Sequence, residues 1–519
     1  MNEKEKLQGQ ENRQENPAPP KNKGGLLGFL EKSGNALPNP AILFAIFAGT
    51  VFVSSVIGSL LGWSGIHPVT GEPVYVVNLA SQEGIHKIIL EMARNFTSFA
   101  PLGIVMLAML GIGVAEVSGL MKSAVNTVLA KTPAKWITFS VIFLGILSNV
   151  ASDLGYVLII PLAGAIFHSL GRNPFVGMAC AFAAVSGGFA ANILISTQDP
   201  LLAGISTEAA KIIDPNYNVL PTANYYFLAA STFFIAILLT ILTTKFIEPR
   251  LGKYEGDVPA EPMTPPTDLE RKGLKRAGLV CVGWAVLIGL GFLPGGILWG
   301  LDGSFLQSPV LRGFITLLFF MALTAGIVYG YTVGKFKKPN DVITGMNDSL
   351  KTLVSFMVLV FFAAQFVAWF NWSNLGLILA INGAGLIDNL NIGLIPMAVI
   401  FVIFAAVMNL FIGSASAKWA IIGPIFVPIF MLLGYSPELS QAVYRVGASV
   451  TNIVTPVMPY LALIIVFYQK YDKKAGIGTI LSTMVPYSFV LFVGWTLLLI
   501  LWILFEIPLG PGAPMYFGM

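Results

Sequence analysis

The chain contains 519 residues, of which 55% are hydrophobic and only 11% charged, and its formal net charge is +4. Its mean hydropathy of +0.78 excludes a water-soluble globular domain, because too few polar residues remain to cover a surface in water. The basic residues lie in short loops and form no continuous stripe, which excludes nucleic acid as an expected partner. The sequence predicts an all-α polytopic protein whose main solvent is membrane lipid.

The N-terminal segment differs in composition from the rest. Residues 1–24 are charged, rich in Gln, Asn and Pro, and almost free of large apolar side chains, so that they cannot form a core. We therefore expect residues 1–30 to be a disordered cytoplasmic tail, followed by a transmembrane domain at 31–510 and a short tail at 511–519. No apolar segment lies close to Met1, so a cleaved signal peptide is not expected.

Apolar runs of about 20 residues, the length that a helix needs to cross roughly 30 Å of hydrocarbon, recur along the chain. The polar stretch 245–276 carries seven Lys and Arg residues, so the positive-inside rule places it in the cytoplasm as a linker over 247–276. The same rule predicts a cell (inner) membrane protein with a cytoplasmic N-terminus and an extracytoplasmic C-terminus. The nine predicted crossings lie near 41–62, 98–118, 174–205, 224–246, 277–293, 311–334, 352–370, 441–467 and 477–506.

Two further apolar segments are predicted to enter and leave the membrane on one side. The segment 135–171 lies between the basic residues Lys135 and Arg172, so it should be a hairpin from the cytoplasmic side with its tip at 148–153. Both ends of 391–437 lack Lys and Arg, so this segment should be a hairpin from the opposite side with its tip at 413–419. The sequence therefore predicts nine transmembrane helices plus two opposed re-entrant hairpins.

The two hairpins belong to an internal repeat. A shift of 263 positions aligns the trio Pro161, Gly171 and Pro174 with Pro424, Gly434 and Pro437. Because the copies enter from opposite faces, we predict inverted repeats over about 98–246 and 352–506. This architecture is typical of secondary transporters, whose binding sites lie where the repeats meet near the bilayer midplane.

Each repeat continues into an interrupted helix, at Ser186-Gly187-Gly188 in the first and around Thr451-Asn452 in the second. Broken backbone within a membrane persists only where it lines protein or a wet cavity, so the hairpin tips and breaks should converge. Their side-chain oxygens suit a cation such as Na⁺, and their helix N-termini suit an anion. The candidate Na⁺ ligands are Asn149, Ser152, Asp153, Ser186, Ser449 and Thr451.

Other polar residues near the breaks are candidates for binding a small anionic organic substrate. They are Asn192, Ser414, Ser416 and Asn452, with the ionisable residues Asp199, Lys418 and Arg445. An ionised side chain in a membrane is costly unless it is paired or hydrated, which favours a transport role. The structural alternatives are helix capping for Ser and Asn, and snorkelling or a structural ion pair for the charged residues.

Catalytic and nucleotide-binding patterns are absent from the sequence, including H-E-x-x-H, Walker A and G-x-S-x-G. We therefore expect a protein that is not an enzyme, has no cofactor, and draws energy from an ion or solute gradient. Cys180 and Cys281 lie in apolar spans and indicate neither a disulfide nor a metal site.

Four ordered motifs resemble the p-aminobenzoyl-glutamate transporter (AbgT) family over about residues 25–510: S-x-x-A-S-D-x-G-Y at 148–156, D-P-L-L-A-G at 199–204, G-S-A-S-A-K-W at 413–419 and Y-R-x-G-x-S-x-T-N-x-x-T-P at 444–456. The resemblance implies a homodimeric carrier that imports p-aminobenzoyl-glutamate or, in some members, exports sulfonamides, coupled to Na⁺ or H⁺. The matching functional positions are Asp199, Trp419, Pro437, Arg445 and Pro456. From the residues alone, Trp419 could instead be an interfacial anchor.

One departure from the family pattern affects the expected mechanism. The family usually carries an aspartate three residues after the arginine, where this chain has Ala448. Either Arg445 then faces the substrate carboxylate directly, or ion coupling differs from that of family members that carry the aspartate. Of the activities that the resemblance implies, export is the one whose expectation this change weakens most. The leading hypothesis is an ion-coupled carrier that moves its hairpin-bearing part against a dimer scaffold. The alternative is a Na⁺-coupled dicarboxylate or short-chain fatty acid carrier of related architecture.

Overall fold

The computed structural model describes residues 40–66, 72–151, 155–259, 266–305, 307–351, 353–455, 458 and 460–518. The predicted N-terminal tail over 1–30 therefore lies outside the described residues. Almost every described element is a helix. The exceptions are two short antiparallel strands, β1 (Ser64–Ile66) and β2 (Pro73–Tyr75).

The first helices lead from a membrane-length segment into the first hairpin. The hydroxyl of Ser81 accepts from the Gly84 N–H and caps the first amphipathic helix. The chain later bends by 119° where a short helix meets the first arm of the hairpin. The helices are α1 (Pro40–Leu60), α2 (Gln82–Thr97), α3 (Ala100–Val117) and α4 (Leu120–Lys131).

The first hairpin and the helix after it are both irregular. The hairpin has the arms α5 (Ile137–Leu147) and α6 (Ile160–Ser169), with a 3-10 turn at Ser148–Ala151 and a π turn at Gly155–Ile159 between them. The next helix, α7 (Pro174–Phe182), ends in a π turn at Ala183–Gly187, and helix resumes only at α8 (Gln198–Ala210). The half closes with α9 (Tyr225–Leu242), which continues through a π turn to Leu251.

Three long helices connect the two halves, with the one-turn helix Pro309–Arg312 between the first and the second. The first begins with a capping box, in which Thr267 and Glu270 satisfy each other's backbone N–H groups. They are α10 (Asp268–Gly291), α11 (Phe314–Val333) and α12 (Pro339–Lys351).

The second half repeats the element order of α3–α9: a crossing, a connecting helix, a hairpin, a broken helix and a crossing. Pro424 and Pro428 lie inside the second arm of its hairpin. The elements are α13 (Val354–Trp372), α14 (Leu375–Asn389), α15 (Leu394–Phe411), α16 (Ala415–Leu432), α17 (Pro437–Val450), α18 (Leu461–Gln469) and α19 (Ile477–Leu504).

The helices pack into two groups. Hairpin arms, broken helices and closing helices (α5–α9 and α15–α19) form the hairpin core, and α7 and α17 are buried almost completely in it. Around it, α3 packs on α11 and α12, α11 packs on α10, and α1 packs on α13. We call α1, α3 and α10–α13 the scaffold. Helix α8 of the hairpin core packs directly on α3 of the scaffold.

Among the described residues, nine helical segments are long and apolar enough to cross a membrane. Seven of them coincide with predicted crossings; the other two are α15 and α16, the arms of the second predicted hairpin. The remaining predicted crossings, 174–205 and 441–467, are the broken helices, whose pieces are individually too short. The predicted all-α polytopic fold is confirmed.

Gly447 lets α17 approach α15 closely. A Cβ at this position would overlap the carbonyl oxygen of Val402 and crowd the methyl group of Ala405. We expect Gly447→Leu to lower the melting temperature of the purified protein, because overpacking a tight interface costs about 1–3 kcal/mol. Gly385→Leu is the matched control, since a Cβ at this helical glycine meets no atom within 4 Å. Equal melting temperatures of the two variants would contradict the close approach.

Candidate functional site

A buried ion pair joins the two halves. Asp199 lies in the first turn of α8 and Arg445 in the middle of α17; Arg445 Nη1 is 2.7 Å from Asp199 Oδ1, and both side chains are almost fully buried. The other carboxylate oxygen, Oδ2, accepts from the backbone N–H (2.6 Å) and the hydroxyl (2.8 Å) of Ser196. Such additional hydrogen bonds are needed to offset the desolvation of a buried pair.

The rest of the guanidinium group faces Gln441, one turn earlier on α17. With its amide oriented to satisfy both neighbours, the Gln441 oxygen accepts from Arg445 Nε (3.2 Å) and Nη2 (2.9 Å). The Gln441 nitrogen then donates to the hydroxyl of Ser206 on α8 (3.0 Å). The arginine is therefore held in a fixed orientation between a carboxylate and an amide.

An aromatic pair continues this network. The indole nitrogen of Trp419 donates to Ser206 Oγ at 3.0 Å. Its ring stacks on Tyr444, with 4.6 Å between the centroids and 27° between the planes. The Tyr444 hydroxyl in turn donates to the carbonyl of Ala415 in the first turn of α16. The second hairpin, α17 and α8 thus share one polar network with two aromatic faces.

A second network joins the breaks of both halves. Asn149, after the first arm of hairpin one, donates to the carbonyl of Val185 in the following broken helix (3.1 Å). Asn409, on the first arm of hairpin two, donates to Thr451 Oγ1 (3.0 Å) and Asn452 Oδ1 (2.9 Å). The amide of Asn452 donates to the carbonyl of Ser186 at 3.4 Å, so the two broken helices touch.

Lys418 extends this second network. Its ammonium donates to Asn409 Oδ1, and its side chain is completely buried. Within the described part of the chain, no carboxylate lies within ion-pair distance of it.

Several predicted ligands also have local partners. Ser414 Oγ accepts from the Ala417 N–H at 3.3 Å and therefore caps α16, while lying 3.3 Å from Ser416 Oγ. Ser449 donates to the carbonyl of Arg445 (2.8 Å), and Thr451 donates to that of Ala406 (2.9 Å). Each hydroxyl keeps lone pairs that can accept, so their roles as ligands stay predictions.

Other predicted residues lie at the margin of the two networks or outside the described residues. The amide of Asn192 donates to the carbonyl of Ile146 at 3.5 Å. Pro437 opens α17 behind its capping residue Ser436, roughly 12 Å along the helix from Arg445 at 1.5 Å rise per residue. Ser152, Asp153 and Pro456 lie outside the described residues.

The structure gives Arg445 a carboxylate partner although position 448 is alanine. Ala448 is buried one turn beyond Arg445, and the paired carboxylate comes from Asp199 in the other half. Sequence reasoning missed Ser206, Gln441 and Tyr444, because residues of these types are common in buried helices. Only the position of Tyr444, immediately before Arg445, indicated its importance.

Two hairpin-bearing halves that meet at buried, hydrogen-bonded helix breaks define this chain as a polytopic membrane transporter. The sequence pattern of the "AbgT putative transporter family" matches residues 25–517. The chain belongs to this family, which consists of transporters and not of enzymes.

One relative and two solved structures resemble this chain over nearly its whole length. The chain is 36% identical over 491 residues to the p-aminobenzoyl-glutamate transport protein of Escherichia coli (strain K12), covering 94% of this chain and 96% of that protein. It resembles the YdaH transporter of Alcanivorax borkumensis, whose topology is described as unusual, with a TM-score of 0.88, 43% identity and coverage of 91% of this chain and 100% of that one. It also resembles MtrF of Neisseria gonorrhoeae, described within a class of antimetabolite efflux pumps, with a TM-score of 0.89, 44% identity and coverage of 94% and 100%.

Proposed function

We propose that this protein is an ion-coupled secondary transporter of p-aminobenzoyl-glutamate or a related small anionic aromatic solute. The observation that carries the proposal is the network that joins the guanidinium of Arg445 to the indole of Trp419 through Gln441 and Ser206. A guanidinium fork matches a carboxylate, and an indole face next to it matches a benzoyl ring. The printed function of the Escherichia coli relative agrees with this pairing of chemistries.

Alternating access follows from the burial of both groups. Arg445 and Trp419 are 2% and 0% exposed, so a solute reaches them only after a movement. We propose an elevator-type movement in which the hairpin core slides against the scaffold of a homodimer. Inverted repeats over 98–246 and 352–506 supply the two opposed hairpins that such a movement needs, and the cytoplasmic linker at 247–276 and the helices α10–α12 lie between them.

Orientation and coupling belong to the same proposal. The chain lies in the cell (inner) membrane with the N-terminus in the cytoplasm and the short tail 511–519 outside, according to the positive-inside rule. A gradient of Na⁺ or H⁺ drives the solute. The oxygen-rich helix breaks at the meeting of the two halves are the proposed place for the cation.

Substrate binding does not require a carboxylate at position 448, because Asp199 already orients Arg445. Efflux of sulfonamides is the second candidate, and the likeness over 94% of the chain to MtrF, which is described within a class of antimetabolite efflux pumps, favours it. The buried Ala448 supplies no proton-carrying group next to Arg445, which favours uptake of the glutamate conjugate.

Uptake into proteoliposomes tests the proposal. Radiolabelled p-aminobenzoyl-glutamate should accumulate in response to an inward Na⁺ or H⁺ gradient. Excess unlabelled p-aminobenzoyl-glutamate should suppress this uptake, whereas succinate should not. Suppression by succinate would instead indicate a dicarboxylate carrier, and no stimulation by either gradient would contradict ion coupling. Repeating the uptake measurement with the Na⁺ or H⁺ gradient directed outward distinguishes uptake of the solute from sulfonamide efflux.

A further inference from the structure

Gln441 lies between Arg445 and Ser206, and its amide satisfies both only when its oxygen faces the arginine. That oxygen then accepts from the guanidinium Nε (3.2 Å) and Nη2 (2.9 Å), while the nitrogen donates to Ser206 Oγ (3.0 Å). When the oxygen and the nitrogen exchange places, the oxygen accepts from the Ser206 hydroxyl at 3.0 Å. The amide N–H groups then face the N–H groups of Arg445, so this second orientation is favourable only with a hydrogen-bond acceptor between them.

Both sides of the Arg445 guanidinium are occupied in this structure. Asp199 takes Nη1, and the Gln441 oxygen takes Nε and Nη2. All three residues are buried. A solute carboxylate can therefore bind this arginine only by displacing one of its two partners.

The energetic cost decides which partner leaves. Asp199 is charged, and Ser196 holds its second oxygen with a backbone N–H and a hydroxyl. Displacing it would leave a buried carboxylate without its cation, which is strongly destabilising. Gln441 is neutral, and its oxygen finds a replacement donor in the Ser206 hydroxyl when the amide turns. Displacing Gln441 therefore costs only the difference between hydrogen bonds, so the solute should displace this residue.

We propose that Gln441 is a placeholder for the solute carboxylate and selects for that group. In the empty site, the amide oxygen holds Nε and Nη2 of Arg445. In the loaded site, the carboxylate takes this edge with two parallel hydrogen bonds, and the turned amide donates to the same carboxylate. The inference rests on the proposed function, to which it adds the residue that recognises the acidic part of the solute.

The exchange of an amide oxygen for a carboxylate changes the charge of the site. Asp199 and Arg445 already balance each other, and the amide is neutral. The incoming carboxylate adds one negative charge in a buried place, which is costly unless a cation enters as well. The placeholder therefore gives a physical reason for the joint uptake of solute and cation.

Ser206 connects the turn of the amide to the aromatic part of the site. Its oxygen accepts from the indole N–H of Trp419 at 3.0 Å. In the empty site it also accepts from the Gln441 nitrogen, and in the loaded site it donates to the Gln441 oxygen. A hydroxyl can take both roles, because it has one donor and two acceptor positions. Recognition of the carboxylate and placement of the indole are therefore coupled through one hydroxyl group.

Rescue by small molecules tests the placeholder without p-aminobenzoyl-glutamate. Gln441→Ala removes the amide and leaves room beside Nε and Nη2 of Arg445. Acetate and acetamide both match the removed group in size, but only acetate carries the charge of a solute carboxylate. The melting temperature of the purified full-length variant, at constant sodium concentration and ionic strength, should rise more with acetate than with acetamide. An equal or larger rise with acetamide, or no rise with either, would overturn the proposal.

Gln365→Ala is the matched control, because Gln365 is also a buried amide but has neutral partners. Its oxygen accepts from Asn95 Nδ2 (2.9 Å), and its nitrogen donates to the carbonyl of Met92 (2.9 Å). Acetate should stabilise this variant no more than acetamide does, since its partners are an amide and a carbonyl group. A preference for acetate in both variants would assign the rise to a general effect of the salt and contradict the placeholder.

Uptake kinetics provide a second test that does not need the alanine variant. Gln441→Glu keeps the shape of glutamine but places a permanent carboxylate on Arg445. The KM for p-aminobenzoyl-glutamate should rise by about 100-fold or more, because two carboxylates cannot share that edge. Gln441→Met is of similar length and uncharged, so its KM should rise by only about tenfold, with a maximal rate near that of the wild type. A purely structural amide predicts the reverse order, since glutamate keeps an acceptor for Arg445 and methionine does not; that order would refute the placeholder.

The two tests separate this inference from the proposed substrate. A preference of Gln441→Ala for acetate, together with absent p-aminobenzoyl-glutamate uptake by the wild type, would support the placeholder and contradict the substrate. Uptake by the wild type, together with a preference of Gln441→Ala for acetamide, would support the substrate and overturn the placeholder.

Discussion

Arg445→Lys is expected to fold and insert but to lose most of its uptake of p-aminobenzoyl-glutamate. Lysine keeps the positive charge, yet a point charge cannot contact Asp199 and Gln441 at once as the planar guanidinium does. Hydrogen bonds to charged groups contribute about 1.5–3 kcal/mol each, so the apparent affinity should fall by roughly 10-fold to 100-fold. Initial uptake rates in proteoliposomes over a range of solute concentrations measure this change.

Arg271→Lys is the matched control for this prediction. Arg271 is half exposed and lies 3.7 Å from Asp268, so its exchange should change uptake little. Normal uptake by Arg445→Lys would assign the residue to structure alone. Replacing both partners, with Asp199→Leu and Arg445→Met together, should restore much of the stability that Asp199→Leu alone removes, since a lone buried charge is more costly than an apolar pair. Transport should stay absent in the double variant.

The membrane fold follows from the sequence because lipid leaves few alternatives. Apolar run length fixed seven crossings to within several residues, except that α10 begins nine residues before the predicted crossing at 277. The difference arises because the helix starts at the capping box of Thr267, in the polar linker, where hydropathy gives no signal. The broken helices were predictable from Ser186-Gly187-Gly188, since only irregular backbone joins α7 to α8.

The site was only partly predictable, and the reason is geometric. Asp199, Lys418 and Arg445 were recognisable because charged groups are conspicuous in apolar helices, whereas Trp419 was indicated only by the family resemblance. Their partners were not recognisable, because Ser206 and Gln441 are 235 positions apart and a single sequence carries no record of such contacts. The pairing of Arg445 with Asp199 was not recognisable either, for the same reason. Because Asp199 supplies a carboxylate partner, we expect Ala448 to change the surroundings of Arg445 less than the sequence suggested.

The scaffold and the hairpin core meet at a cavity that offers a direct test of movement. Its lining includes Leu107 on α3 and Thr316 on α11 of the scaffold, and Ala203 and Gly204 on α8 of the hairpin core. Helix α8 also carries Asp199 and Ser206, so in the proposed movement it travels together with the proposed substrate site. An elevator-type movement requires α8 to slide along α3 in every transport cycle.

Linking Leu107→Cys to Ala203→Cys with a short thiol-specific crosslinker should therefore abolish transport almost completely, in a background where the exposed Cys281 is replaced by serine. The effect should be large because one covalent link prevents the whole hairpin core from moving, whatever the solute. Leu107→Cys with Thr316→Cys is the matched control: both residues line the same cavity, but both belong to the scaffold, so this link should leave uptake unchanged. A cleavable crosslinker should restore transport to the first pair after cleavage. Undiminished uptake with α3 and α8 fully linked would exclude sliding and favour movement of the hairpins alone, because the tips could then open while the two bodies remain fixed.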